Sequence, residues 1–126
     1  MRYLALDVGD RRIGLAVGDD AHGLVHPLRT LVRRSLARDL DALREIVRDE
    51  RIEVLVVGLP LTLRGEIGPQ AERVRRFAAA CADLGLPVEL YDERHTTSEA
   101  RLRGARDVDA GAATILLEDF LARRVP

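Results

Sequence analysis

The chain has 126 residues, of which 47% are hydrophobic and 33% charged, a composition that fits one globular domain spanning residues 1–126 and excludes a disordered chain. The formal net charge is −1, so the protein has no global basic field, and any nucleic-acid binding requires a local patch. Cys81 is the single cysteine, and no apolar run approaches the roughly 20 residues of a membrane span, so we expect a cytoplasmic protein without disulfides or membrane association.

The first third of the chain predicts three antiparallel strands. Residues 3–8 and 13–17 are apolar runs joined by a short polar turn, the pattern of a β-hairpin. Residues 24–31 form a third, irregular strand, and Pro27 within it indicates an edge position.

The rest of the chain alternates helices and strands. Apolar spacing and capping signals predict a helix from Ser35 to about Arg51, a strand at 54–57, a helix from Pro69 to about Leu84, a strand at 88–91, a short helix opened by Thr96 and Glu99, and a last helix from Asp109 to about Arg124. The order βββαβαβαα indicates a mixed sheet with two crossover connections.

Asp7 is the anomalous residue of the first strand. It shares a face with Tyr3 and Ala5 by the two-residue period, and both faces of this strand are apolar, as in a central strand. A buried carboxylate is costly to desolvate unless it is paired, hydrogen-bonded or bound to a cation. We therefore expect a partner for Asp7, either a cation or one of the turn residues Arg11 and Arg12.

Three more acidic residues are predicted to converge on Asp7. Asp92 and Glu93 follow the fifth strand, at the carboxyl edge of the sheet where the sites of α/β proteins tend to lie. Asp109 shares a helix face with the apolar residues at i+4, i+7 and i+11, and so points toward the sheet. Repulsion would raise the pKa values of such carboxylates unless a divalent cation neutralised them, and hard oxygen ligands suit Mg²⁺ or Mn²⁺.

Taken singly, these residues have simpler interpretations. The segment 92–94 alone is typical of a solvated turn with a local salt bridge, and Asp109 alone is typical of a helix N-cap. Arg64 is either an exposed loop residue or a phosphate contact. Only the joint inward geometry of the acids favours a metal site.

Four segments together resemble one family. The motifs D-V-G-D-R-R-I-G-L-A-V at 7–17, G-L-P-L at 58–61, D-E-R-H-T-T at 92–97 and D-A-G-A-A-T-I-L-L at 109–117 resemble, in order, those of the YqgF/RuvX family of Holliday-junction resolvases, also described as pre-16S rRNA nucleases. Each motif alone is weak, whereas four in register over the whole chain are a specific signal. The resemblance implies an α/β, RNase H-like fold whose five-stranded mixed sheet has the order 3-2-1-4-5 and is flanked by helices.

The resemblance also implies a function. It points to a divalent-metal-dependent endonuclease of DNA recombination and repair or of ribosome biogenesis, which hydrolyses branched DNA or pre-rRNA. Separately, we expect a monomer or weak homodimer. The implied catalytic residues and ligands of Mg²⁺ or Mn²⁺ are Asp7, Glu93 and Asp109, with Asp92 as an auxiliary ligand. Apart from the resemblance, we expect weak, salt-sensitive binding of nucleic acid through Arg11, Arg12, Arg64 and Arg94.

Two features depart from the family pattern. Thr62 and Arg64 stand where members usually carry Asn and Asp after G-L-P-L. The loop before the last helix, usually longer and rich in Lys, shrinks to about residues 103–108, with Arg103 and Arg106 as its only cations. Both departures concern the substrate-binding surface rather than the acidic residues.

Two other functions compete with a nuclease. The spacing D-x-G-x-x-x-x-G at 7–14 also resembles the phosphate loop of actin-like and sugar-kinase ATPases, which need a second such loop in a second domain that 126 residues do not accommodate. The other rival is a catalytically silent nucleic-acid-binding module, and the joint presence of Asp7, Glu93 and Asp109 argues against it.

Overall fold

The computed structural model of the protein describes residues 1–93 and 108–124. Its strands are β1 (Arg2–Val8), β2 (Arg12–Asp19), β3 (Leu24–Val32), β4 (Val54–Leu59) and β5 (Val88–Asp92). Its α-helices are α1 (Leu36–Asp49), α2 (Pro69–Ala80) and α3 (Val108–Arg124), and a 3₁₀ turn at Cys81–Leu84 extends α2. Within these ranges, no helix is long and apolar enough to cross a membrane.

The five strands form one mixed sheet in the order β3-β2-β1-β4-β5. The β1–β2 and β2–β3 pairs are antiparallel, whereas β1–β4 and β4–β5 are parallel. The predicted order and the central position of the Asp7 strand are therefore confirmed. The register of β2 against β3 shifts between Leu15 and Ala16, and Ala16 is the residue that pairs with Pro27, as expected of an irregular edge strand.

Helices α1 and α2 begin where the capping residues in the sequence predict. The hydroxyl of Ser35 accepts a hydrogen bond of 3.2 Å from the backbone N–H of Arg38, which caps α1. Pro69 is the first residue of α2, where its missing N–H is harmless. The short helix predicted from Thr96 and Glu99 lies outside the described residues.

Side chains alternate between the two faces of the sheet and build two separate cores. The first, which we call the α1/α2 face, carries large aliphatic strand residues against α1 and α2: Leu4, Leu6, Val8, Ile13, Leu15, Val17, Leu55 and Val57. The second, the α3 face, carries Tyr3, Ala5, Ala16, Val54 and Val56 against the helix residues Ala113, Leu116, Leu117, Phe120 and Leu121. Asp7 follows Tyr3 and Ala5 on the α3 face.

Candidate active site

Asp7 and Glu93 meet at the carboxyl edge of the sheet. Asp7 is the penultimate residue of β1, and Glu93 directly follows β5 on the far side of β4. The two carboxyl groups are hydrogen-bonded to each other. Burial, the charge of Asp7 and this hydrogen bond raise the pKa of Glu93 to about 8, with a smaller contribution from Asp92. The pKa of Asp7 is raised as well, so the two carboxyl groups together favour the retention of a proton.

Gly58 leaves the space through which Glu93 reaches Asp7. It lies near the end of β4, between the strands that carry the two acids. A methyl group at this position would overlap the Glu93 side chain, with Cγ only 2.8 Å from the added carbon. The contact between Asp7 and Glu93 thus requires a residue without a side chain at position 58.

Gly14 has the same role for Asp109. It is the residue of β2 that pairs with Asp7. A methyl group there would overlap the backbone carbonyl of Asp109 and would lie 3.0 Å from the backbone nitrogen of Ala110. The first turn of α3 therefore rests directly on the β2 backbone beside Asp7. Burial is the larger cause that raises the pKa of Asp7, and the charge of Asp109 raises it further.

Arg12 pairs with Asp109. The guanidinium Nε lies 2.9 Å from Oδ2 of Asp109, and the side chains are 62% and 35% exposed. Arg12 is the first residue of β2 and shares the α3 face with Gly14 by strand alternation. Of the two arginines considered as partners of Asp7, Arg12 is thus engaged by a different acid of the site.

Arg33 fixes the turn that carries Arg11 and Arg12. Its guanidinium donates a 2.9 Å hydrogen bond to the carbonyl of Gly9, contacts buried Asp39 at 3.4 Å and lies 4.8 Å from the centre of the Phe77 ring. Its backbone N–H donates to the carbonyl of Arg11 at 2.9 Å. The β1–β2 turn is therefore tied to α1 and α2 and holds a defined position at the rim of the site.

The other predicted site residues lie around this centre. Arg11 is exposed on the β1–β2 turn, and Arg64 is exposed in the loop after β4; because β1 and β4 are parallel, both segments lie at the same edge of the sheet. Asp92 is the last residue of β5 and alternates with Tyr91, which packs against the α3 face. Arg94 lies outside the described residues, as do Arg103 and Arg106.

The donor chemistry of the site fits a divalent metal ion. Asp7, Glu93 and Asp109 offer hard carboxylate oxygens, and the raised pKa values of Asp7 and Glu93 reflect buried negative charge that a bound cation would neutralise. Across residues 1–93 and 108–124, however, no three His, Cys, Asp or Glu side chains stand ready to hold a metal ion. Two of the acids bond to each other, whereas Asp109 is turned to Arg12.

The sequence analysis placed Gly14 and Gly58 in motifs but did not predict that they make room for the acids, and it did not predict the role of Arg33. The two glycines did carry a signal, because a glycine inside a strand commonly marks the close approach of another backbone or a ligand. Arg33 carried none, because Gly9, Asp39 and Phe77 belong to three different elements, and two of these partners are distant from it in the chain.

A family model identifies the family of this chain. The RuvX family, described as Holliday junction resolvase, matches residues 1–123. The chain belongs to this family. A protein of Anaeromyxobacter dehalogenans is 47% identical over 137 residues, with all of both chains covered, and one of Moorella thermoacetica is 45% identical over 134 residues, covering 98% of this chain and 96% of its own. Both carry the name "Putative pre-16S rRNA nuclease".

Solved structures show the same fold at low sequence identity. RuvC of Thermus thermophilus, solved with a Holliday junction substrate, superposes with a TM-score of 0.65 at 18% identity, covering 98% of this chain and 95% of its own. The Fowlpox virus resolvase in complex with Holliday junction DNA gives 0.58 at 8% identity, with both chains fully covered. The predicted family, RNase H-like fold and nuclease class are thus confirmed, and nucleases of this fold generally depend on divalent metal ions.

Proposed function

We propose that this RuvX-family protein is a Mg²⁺- or Mn²⁺-dependent endonuclease of the cytoplasm that hydrolyses phosphodiester bonds in branched DNA or pre-16S rRNA. Its single domain, residues 1–126, carries the activity as a monomer or weak homodimer. The observation that supports this most directly is the hydrogen bond between Asp7 and Glu93 beside Asp109. Acids from opposite ends of the chain are brought together there, although each contact between them is repulsive once all are ionised.

The three acids bind the metal from different positions in the fold. Asp7 and Glu93 already touch and form the inner pair of ligands, and Asp109 approaches from the start of α3 as the third, with Asp92 as an auxiliary group. A divalent cation, when bound, supplies the charge that neutralises the scissile phosphate and the acidity that activates a water. The protein contributes a rigid placement of the ligands, because β1, Gly14 and Gly58 fix the backbones that carry them or the space that they cross.

Exposed arginines at the same edge are the proposed contacts to the phosphate backbone. Arg11 lies on the turn anchored by Arg33, and Arg64 lies in the loop after β4. Arg12 and Arg94 complete the set that we propose. Guanidinium groups suit this role because they bind phosphate oxygens in a bidentate manner. A local cluster of this kind compensates for the net charge of −1, which gives no general attraction to nucleic acid.

The experiment that tests the proposal compares substrates side by side. Purified protein is incubated with Mn²⁺, Mg²⁺ or EDTA and with a four-way DNA junction, single-stranded DNA or pre-16S rRNA, and ATP turnover is followed in the same samples. We expect metal-dependent cleavage of the junction or the pre-rRNA, and we expect Asp7→Asn to reduce it by at least about 100-fold because it removes an inner ligand.

Asp83→Asn is the matched control. It makes the same chemical change on an exposed residue of the 3₁₀ turn, which precedes β5 and so lies at the opposite edge of the sheet. Binding of nucleic acid without cleavage under any metal condition would favour the silent binding module. ATP hydrolysis that disappears with Asp7→Asn, in the absence of nuclease activity, would favour the phosphate-loop ATPase.

A further inference from the structure

The ion pair between Arg12 and Asp109 assigns a second role to Arg12. We propose that Arg12 is a built-in counter-cation, which holds Asp109 outside the metal site in the metal-free protein and competes with the divalent cation for its carboxylate. When the cation takes Asp109, Arg12 is released toward the substrate phosphate. This inference rests on the proposed function, because it concerns the same acids and the same metal.

The first support is the arrangement of the acids themselves. Asp7 and Glu93 are bonded to each other, but the carboxylate of Asp109 is 2.9 Å from Nε of Arg12. No three acids in residues 1–93 and 108–124 form a ready metal site. Two of the proposed ligands are therefore in contact with each other, whereas the carboxylate of the third pairs with an arginine.

The second support is that both backbones of the ion pair are fixed. The carbonyl of Arg12 accepts a 2.8 Å hydrogen bond from the N–H of Gly9, within the turn that Arg33 anchors. The backbone of Asp109 rests on Gly14, with no room for even a methyl group between them. Exchange of Asp109 from Arg12 to the metal thus requires rotation of side chains alone.

The third support is the exposure of the pair. Arg12 is 62% and Asp109 is 35% exposed, and ion pairs in contact with water are weak because solvent and salt screen them. A divalent cation, which carries twice the charge and has Asp7 and Glu93 as further ligands, can therefore displace Arg12. Until it does, only the fraction of molecules with an open ion pair binds metal fully, which lowers the apparent affinity.

The test is a Mn²⁺ titration of metal-free protein, followed by calorimetry, for wild type, Arg12→Gln and Arg12→Lys. We expect Arg12→Gln to bind Mn²⁺ roughly three-fold more tightly, the factor that corresponds to losing an exposed ion pair. This difference should shrink as salt is raised, because salt screens the ion pair in the wild type. Arg12→Lys keeps the charge and should restore most of the wild-type affinity.

The control is Arg48→Gln, which removes an arginine from a similar exposed pair, with Asp49 at 3.2 Å, at the far end of α1. It should leave Mn²⁺ affinity unchanged. In the cleavage assay at saturating Mn²⁺, Arg12→Gln should raise KM severalfold with little change in kcat, because a phosphate contact is lost while the metal site is intact.

Two failures are distinguishable. If the wild type binds Mn²⁺ and cleaves nucleic acid but Arg12→Gln binds Mn²⁺ equally or more weakly, the competition is refuted and the nuclease stands. The same holds if the Lys and Gln variants behave alike. If the wild type neither binds Mn²⁺ nor cleaves, the proposed function fails and this inference falls with it.

Discussion

The two faces of the sheet are built on opposite principles. The α1/α2 face presents large aliphatic residues such as Leu6 and Leu15, both fully buried, and its helices pack on those side chains. On β1 and β2, the α3 face presents small residues beyond Tyr3, with Ala5, Ala16 and Gly14 in neighbouring positions. The backbone of α3 therefore comes much closer to the strands than the packing of large side chains allows.

This contrast between the two faces means that one face mainly provides stability and the other mainly carries the acidic site. The α1/α2 face holds the larger set of buried aliphatic side chains, and the burial of apolar surface is the main source of folding free energy. The missing side chains on the α3 face let Asp109 and Glu93 approach Asp7, at the expense of crowding acids in a buried place. Substitutions on the α1/α2 face should therefore lower stability, whereas substitutions of the acids on the α3 face should lower activity.

The largest expected contrast is between Leu6→Ala and Asp7→Asn, neighbours on opposite faces. Leu6→Ala leaves a cavity in a fully buried position and should lower the free energy of unfolding by about 2–5 kcal/mol. Asp7→Asn should leave the metal-free protein as stable as the wild type or more stable, because it removes one of several repelling charges. Urea unfolding in EDTA measures both, and clear destabilisation by Asp7→Asn would contradict the idea that function, not folding, requires this acid.

Gly14→Ala tests whether stability depends on the close approach of the α3 backbone to β2 as much as on the large side chains that fill the other core. The added methyl group meets the backbone of Asp109, which cannot rotate away, so we expect a loss of about 1–3 kcal/mol and weaker Mn²⁺ binding as α3 shifts. Gly68→Ala is the control, since its methyl group would meet only Thr62 at an ordinary 3.4 Å. If both substitutions change the free energy of unfolding and the Mn²⁺ affinity only slightly and to the same extent, α3 can shift away from β2 at little cost.

The acidic pair predicts a pH dependence of the metal-free protein. Because the pKa of Glu93 is about 8 in the folded state and near 4.5 when unfolded, the folded protein holds its proton more tightly. The contribution of Glu93 to stability is then fully present below about pH 4.5 and is lost as pH rises toward 8, and the raised pKa of Asp7 acts in the same direction. Urea midpoints in EDTA between pH 5 and 8 should show this decline.

Glu93→Gln, which is neutral in both states, should flatten most of that decline. Glu45→Gln, on an exposed position of α1, should leave it in place. If the urea midpoint falls with pH equally in the wild type and in Glu93→Gln, the two carboxyl groups do not share a proton in solution.

The smallest effect concerns the exposed rim of the site. Replacing Arg11 and Arg64 together by Gln should weaken binding to duplex DNA and make its dependence on log salt shallower by about 2, since each phosphate contact contributes about 0.9. Replacing Arg44 and Arg48 of α1, on the other face, should change neither quantity. A salt slope that stays the same in the first double variant would place the phosphate contacts elsewhere.

The strand order was predictable only through the family resemblance, whereas the residue pattern by itself predicted the central β1 and the inward face of the last helix. The latter two features depend on short-range patterns: period two around Asp7, period 3.6 after Asp109, and caps such as Ser35 and Pro69. Such patterns are local, so a single sequence displays them. The family motifs then specified which acids to consider together.

Only the tertiary structure decided which groups touch. The hydrogen bond from Glu93 to Asp7 depends on β4 lying between their strands and on the space at Gly58. The pairing of Arg12 with Asp109, and the hold of Arg33 on the β1–β2 turn, join segments far apart in the chain. Contacts of this kind are set by strand order and by the depth to which a helix packs, and neither quantity is written in the spacing of residues along the chain.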